Sequence, residues 1–397
     1  MREVILKIRF FSALLLAIPA VFGGDKEPIE VGHRFTIHSK VLDEDRTIMV
    51  GLPQNYEQGN ATYPVLYMTD ALTQFHHTVG TVSFLARNNR MPETIVVAVV
   101  NTDRTRDLTP AMDHPDDRAG NHGGADNFLK FFETELIPHV DKNYRTQPFR
   151  MFAGHSLGGL FSVYAFLSRN ELFDAFIAVS PSLWWDQEAN VVKVEKFLAG
   201  KKTLHKTLFL TLGNEGEQMS KPFQAMTRVL EGQNIEGFAW EARLMPDEDH
   251  GSVVLASHYA ALQKVFEGWQ VPGEILATGL AGVQSHYQKL SERMGYTVKP
   301  PENTINNLGY GALGRGSMEV ALEIFEYNIK TYPDSANVYD SYAEALEKSG
   351  KLKRARKNYA KAYERGAKIN DPNTDVYKRN LDRVEDLLKK DKSKTDS

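Results

Sequence analysis

The 397-residue chain contains no cysteine, which excludes disulfides, thiolate zinc sites, an N-terminal lipoprotein anchor and a cysteine nucleophile. It also lacks an apolar run long enough for a membrane span of about 20 residues; the stretch Phe10 to Phe22 covers 13. A strong excess of either charge is missing too. There are 47 Lys and Arg against 51 Asp and Glu, for a formal net charge of -4. The one dense basic run, Lys351 to Lys357, is interleaved with helix formers and reads as a solvated helix surface, so nucleic acid is not an expected partner. What remains is an ordinary globular composition, in a chain too long for one core and suited to a main domain plus a smaller one.

At the N-terminus, Arg2, Lys7 and Arg9 flank the apolar run, and Gly23, Gly24, Asp25 and Lys26 follow it. This is the pattern of a secretory signal peptide over residues 1–24, with Ala20 or Gly23 as cleavage points; an uncleaved anchor or a first core helix are the alternatives. The expected mature protein starts between Val21 and Asp25, is secreted or periplasmic, and has no membrane contact after cleavage.

The stretch Phe149 to Gly159, F-R-M-F-A-G-H-S-L-G-G, joins an apolar run to G-x-S-x-G at Gly154, Ser156 and Gly158. A chain that leaves a strand, turns sharply and enters a helix leaves no room for side chains two positions either side of the serine, and Ser156 then stands exposed at the strand end. A serine hydroxyl needs a base, and the base an orienting acid. The runs Thr207 to Leu212 and Ala239 to Met245 read as strands, ending in G-N-E-G-E and P-D-E-D-H-G. They set Glu215 and His250 just past strand ends, in the order serine, acid, histidine. The turn D-A-L-T after Thr69 is expected to supply one oxyanion amide, from Ala71 or Leu72, and Leu157 the other.

Alternation over Glu30 to Leu52 suggests an antiparallel pair at the leading edge of a sheet. The β-branched runs Tyr63 to Asp70 and Thr94 to Val100 read as strands covered on both faces, and with Asp174 to Ser180 and the intervening helical stretches they predict an α/β fold with a mostly parallel, doubly wound sheet. Asp126 to Tyr144 reads as a helix opened by Asp126.

Asn101 to Gly124 is polar and reads as a long loop over the strand ends, a usual place for substrate contacts. Its Asp113, His114, Asp116, Asp117 and His122, like His76 and His77, have no fixed spacing for a metal, and neither metal nor other cofactor is expected. Arg104 and Arg106 lie in that loop on the Ser156 side of the sheet, where an arginine could hold an anionic group of the substrate; the alternative for Arg106 is a pair with Asp103 or Asp107. Trp184 and Trp185, past the strand Asp174 to Ser180, form an aromatic wall or core. Arg106, Trp184, Trp185 and His155 make up the expected substrate-contacting set.

Together, V-L-Y-M-T-D-A at Val65, R-D-L-T-P at Arg106, A-G-H-S-L-G-G at Ala153, S-P-S-L-W-W at Ser180 and D-H-G at Asp249 resemble the putative-esterase (esterase D-like) α/β-hydrolases. The motifs also look like those of siderophore esterases that open enterobactin-type trilactones, and the resemblance covers about Glu30 to Gln270. It implies the α/β-hydrolase fold, Ser156 as nucleophile, His250 as base and the Leu157 amide as oxyanion donor. It leaves the acid at Glu215 or Glu217, or a serine–histidine dyad.

Beyond Pro272-Gly273 the β-branched runs stop. Gly316 and Gly350, Ala321 and Ala355, Phe325 and Tyr359 each recur 34 residues apart, the tetratricopeptide period. The expected plan is a hydrolase domain at 25–271, a helical tetratricopeptide-like module at 272–390 and a disordered tail at 391–397. So few repeats should lean on the hydrolase, on a second copy of the chain or on a protein partner. The function expected is hydrolysis of a small-molecule carboxylic ester, with siderophore trilactones as one substrate class. Feruloyl or aryl esters, acyl transfer by the same triad, and a non-catalytic binding role through the repeats stand as alternatives.

Overall fold

The computed structural model describes residues 28–54, 56–58, 60–114 and 120–395. The expected signal peptide, Asp116 and Asp117 lie outside them. The elements below belong to one compact unit, Gly32–Ser397.

The chain opens with the expected hairpin, β1 (His33–Ser39) and β2 (Glu44–Gly51), then β3 (Tyr63–Met68), α1 (Ala71–Arg87) and β4 (Ile95–Val99). The presumed loop after β4 contains a short helix, α2 (Arg104–Leu108). Next come α3 (Ala125–Phe131), a π-helical turn at Phe132–Leu136 and α4 (Ile137–Asn143). The residue at the N-cap of α3 is Gly124, so Asp126 lies inside the first turn rather than capping it. There follow β5 (Thr146–His155), α5 (Leu157–Ser168), β6 (Ala175–Val179), α6 (Ala189–Leu198), β7 (Thr203–Leu212), α7 (Glu217–Glu231), β8 (Glu236–Leu244) and α8 (Val253–Val265). The eight strands form one sheet in the order β1-β2-β4-β3-β5-β6-β7-β8. It is antiparallel across β1, β2 and β4 and parallel from β4 to β8. This is the α/β-hydrolase sheet.

Successive strand residues alternate between two cores, as the pleat requires. Val65, Tyr67, Val97, Phe152, Phe176 and Leu208 face one core with Phe128, Phe132 and Phe161 from the helices after β4 and β5. Leu66, Met68, Val96, Met151, Ile177 and Phe209 face the other, against α1 and α8. Both faces are covered, which is why these strands read as continuous apolar runs.

The remaining helices are α9 (Gly273–Ala277), α10 (Gly279–Met294), α11 (Glu302–Gly314), α12 (Met318–Thr331), α13 (Ala336–Lys348), α14 (Leu352–Ile369) and α15 (Thr374–Thr395). The α13/α14 pair starts 34 residues after the α11/α12 pair, at 336 against 302 and 352 against 318. Ala321 and Ala355 are fully buried at the pair contacts, beside Phe325 and Tyr359. Two expectations are corrected. Pro272-Gly273 turns the chain without ending the core, because Val283, Tyr287, Leu290 and Met294 of α10 pack with Phe149, Val265 and Phe266 of the sheet domain; the separate helical core begins at Ile305. The helix α15 also runs through Thr395, past the expected start of a tail at 391, since D-K-S-K-T holds no Gly or Pro to stop it.

Candidate active site

Ser156 follows β5 with φ 60 and ψ −114, far from the regions an L-residue prefers. The strain has visible supports. A side chain at Gly154 would collide with the Gly158 carbonyl, and a Cβ at Gly158 would lie 2.7 Å from Thr69 Oγ1. The Ser156 amide donates to Val179 O at 2.9 Å and the Ser182 amide to Ser156 O at 3.0 Å, so the turn is clamped on both sides. The hydroxyl of Ser156 meets the buried Ser182 Oγ at 3.3 Å.

His250 and Glu215 come together from the loops after β8 and β7. The His250 Nδ1–H donates to Glu215 Oε2 at 2.6 Å, with the carboxylate only 6% exposed. This bond fixes the tautomer and leaves Nε2 free as a base. The other oxygen, Oε1, accepts from Ser180 Oγ at 2.6 Å and from the Gly213 amide at 3.2 Å. Glu217, the other candidate acid, opens α7 with its side chain 82% exposed and paired with Lys221.

His155, expected among the substrate contacts, turns toward His250 instead. Its ring lies 4.6 Å from that of His250, and its Nε2–H donates to the His250 carbonyl at 2.6 Å. Burial, with the neighbouring His250, pulls its pKa down to about 4, so it is a neutral donor. The contact sets His250 beside the residue that precedes Ser156. Among the described residues no hydrogen bond joins Ser156 to His250.

Leu157 and Ala71 open α5 and α1, where the first amides of a helix have no intrahelical acceptor. Neither N-cap side chain closes them: Ser156 makes no cap bond, and Asp70, itself left-handed at φ 57, is engaged elsewhere. Asp70 Oδ1 accepts from Arg104 Nε at 2.7 Å and from Asn101 Nδ2 at 2.5 Å, and a second Arg104 nitrogen donates to His155 O at 2.9 Å. Arg104 thus ties the α1 start to β5, a bracket that the polar pattern of the stretch does not reveal.

Arg106 is a correction. Its guanidinium is held by Glu44 at 2.6 Å and Asp107 at 2.7 Å, and its amide donates to Asp103. Of the two expected roles, the structural pairing is the one these contacts supply. Asp107 also pairs at 2.5 Å with Arg46, which is fully buried and lies over the Phe128 ring. Trp185 is corrected likewise: it is buried, with Nε1 donating to Pro110 O and His122 edge-on at 5.8 Å. Trp184 beside it is half-buried. Asp113 and His114 are tied down by Asp186, whose carboxylate accepts both their amides. Among the described residues no group of three or more His, Asp or Glu could hold a metal.

A family model described as "Putative esterase" matches residues 39–258. The siderophore enterobactin esterase of Emericella nidulans is 30% identical over 196 residues, 40% of this chain and 65% of that protein. The ferri-bacillibactin esterase BesA of Bacillus subtilis is 32% identical over 184 residues, 41% of this chain and 62% of that protein. The chain therefore spans just under two thirds of these relatives. An IroE-like serine hydrolase from Shewanella oneidensis superposes with a TM-score of 0.66 at 25% identity, over 75% of this chain and 98% of its own. An uncharacterised protein from Capnocytophaga ochracea shares the fold at 17% identity, with a TM-score of 0.62 over 89% of this chain and 99% of its own. That likeness is long enough to take in much of the C-terminal helices.

Proposed function

The chain belongs to the putative-esterase family, and from that footing we propose that it is a serine hydrolase of carboxylic esters acting through an acyl-enzyme. One observation carries the reading. A strained serine on a strand-to-helix turn lies next to the histidine-155 contact that holds His250, and His250 is oriented by a buried carboxylate 2.6 Å from its Nδ1.

On this reading the Ser156 hydroxyl leaves Ser182 and turns to His250 Nε2 when an ester enters, since catalytic hydrogen bonds often tighten only in the substrate complex. Ser156 Oγ attacks the carbonyl carbon as His250 takes its proton, and Glu215 stabilises the imidazolium that results. The open amides of Leu157 and Ala71 receive the negative oxygen. His250 then protonates the leaving alcohol. Water, deprotonated by the same histidine, releases the acid and restores Ser156.

The similarity to siderophore esterases supports a trilactone of the catecholate siderophore class as substrate. The basic and apolar pattern from Arg2 to Phe22 supports action outside the cytoplasm. A panel of trilactone, feruloyl, short acyl and thioester substrates tests the assignment. Trilactone is expected to be preferred by about tenfold or more in kcat/KM, with a burst of alcohol release. A feruloyl preference, or product that depends on an added alcohol acceptor, would redirect the assignment to an aryl esterase or an acyltransferase.

A further inference from the structure

Three adjacent strands, β3, β5 and β6, are each followed by a non-glycine residue at positive φ: Asp70 at 57, Ser156 at 60 and Ser180 at 39. Ser156 is the proposed nucleophile and Asp70 anchors Arg104. Ser180 has no such role in the reaction described above. It is fully buried, and its conformation is doubly unfavourable: serine is not among the residues that enter the left-handed region readily, and Pro181 follows, which drives a preceding residue toward extended backbone.

The surroundings show what the conformation achieves. The Ser180 amide donates to Thr211 O at 2.9 Å, keeping the chain on the ladder between β6 and β7, while the positive φ turns its hydroxyl toward the loop after β7. There it donates to Glu215 Oε1 at 2.6 Å. A carboxylate rotates about a broad, two-fold terminal torsion. With Ser180 and Gly213 both donating to Oε1, that rotation is stopped and Oε2 is presented to His250. The strain is held from the other side as well. Pro181 packs so closely on the start of α5 that a Cβ at Gly159 would lie 2.9 Å from its Cα, and Ser182 clamps the Ser156 carbonyl. Strained residues persist where the surroundings over-determine them, and they cluster at functional sites.

We propose that Ser180 is a positioning residue for the Glu215 carboxylate, held in a left-handed conformation because only that conformation aims its hydroxyl at Oε1. The assignment rests on the reading of Ser156, His250 and Glu215 given above. It makes a demand that a packing role would not: glycine at 180 should suit the backbone better and the reaction worse.

The test compares the full-length wild type with Ser180→Gly and Ser180→Ala in three measurements. These are kcat and KM on an ester the wild type turns over, the thermal midpoint, and the far-downfield proton resonance of the His250 Nδ1–H. Both variants should lose about five- to tenfold in kcat, the worth of one hydrogen bond, with KM within about twofold. Both should broaden or shift the resonance. Ser180→Gly should melt above Ser180→Ala, because both lose the hydroxyl and only glycine relieves the strain. Unchanged kcat with the resonance in place would overturn the proposal. So would a Ser180→Gly protein that melts well below Ser180→Ala, since the backbone at 180 would then not be strained. A wild type inactive on every ester would overturn the esterase reading instead; the resonance needs no substrate and still decides Ser180.

Discussion

At the scale of single residues, the acid is the position where spacing left two answers and burial separates them. Glu215 sits almost fully buried with three donors, whereas Glu217 extends into solvent against Lys221. Glu215→Gln should therefore lower kcat by roughly a hundredfold or more, less than loss of the serine, while Glu217→Gln leaves it within about twofold. Steady-state kinetics of the two variants decide it, and equal rates in both would point to a dyad. The order serine, acid, histidine and the strand ends pointed to Ser156, Glu215 and His250, because each lies within a few residues of an apolar run, and the fold sets Glu215 against His250. Ser180 was not legible, since its role depends on a backbone angle that no residue pattern reports. His258 was not either. It is fully buried with its Nδ1 3.0 Å from Thr78 Oγ1, and burial pulls its pKa down to about 3, as it pulls that of His155 to about 4. In the unfolded chain both imidazoles take a proton near pH 6.5, so between that pH and about 4 the unfolded state binds more protons. Stability is then full above about pH 6.5 and is lost as pH falls. For His258 the slope is about 1.4 kcal/mol per pH unit. Urea unfolding at several pH values should show a shallower fall in His258→Gln than in the wild type; an identical slope in both would contradict the assignment.

At the scale of elements, the short helix α2 explains why Arg104 and Arg106 cannot be told apart in the sequence. Two residues apart on a helix, about 200° around its axis, they point to different neighbours. Arg104 reaches Asp70 and the nucleophile strand; Arg106 reaches Glu44 on β2. A polar stretch read as loop conceals that division. Asp103 caps α2 and Asp107 anchors it, its carboxyl pushed up by burial and pulled back by Arg46 and Arg106. Asp107→Ala would leave buried Arg46 with Glu44 as its remaining carboxylate partner, a loss below the about 3–5 kcal/mol of a buried charge left wholly unpaired. Chemical denaturation should show it, with a fall in activity as Arg104 loses its seat. Arg106→Leu should weaken stability without selecting between anionic and neutral esters; a KM rise confined to anionic esters would return Arg106 to the substrate.

At the scale of the whole molecule, hydrophobic periodicity and strand order gave the sheet, and the 34-residue offset gave the paired helices. The domain limit was less legible, because Pro272-Gly273 is a strong local signal while the packing of α10 on Phe149 and Phe266 is a long-range one. A chain ending at Gln270 loses Tyr287, Leu290 and Met294 from that core, so it should melt well below the full chain and bind a hydrophobic dye; equal melting would make the helices an independent adaptor. Ser156 is the proposed covalent nucleophile of this fold. The most direct measurement of that role is reaction with a fluorophosphonate, followed by peptide mass mapping and ester turnover in the wild type and in Ser156→Ala. The predicted result is one adduct, on Ser156, that vanishes in a normally folded Ser156→Ala protein along with at least about a thousandfold of the turnover. An adduct on another residue, or turnover that survives the substitution, would contradict it.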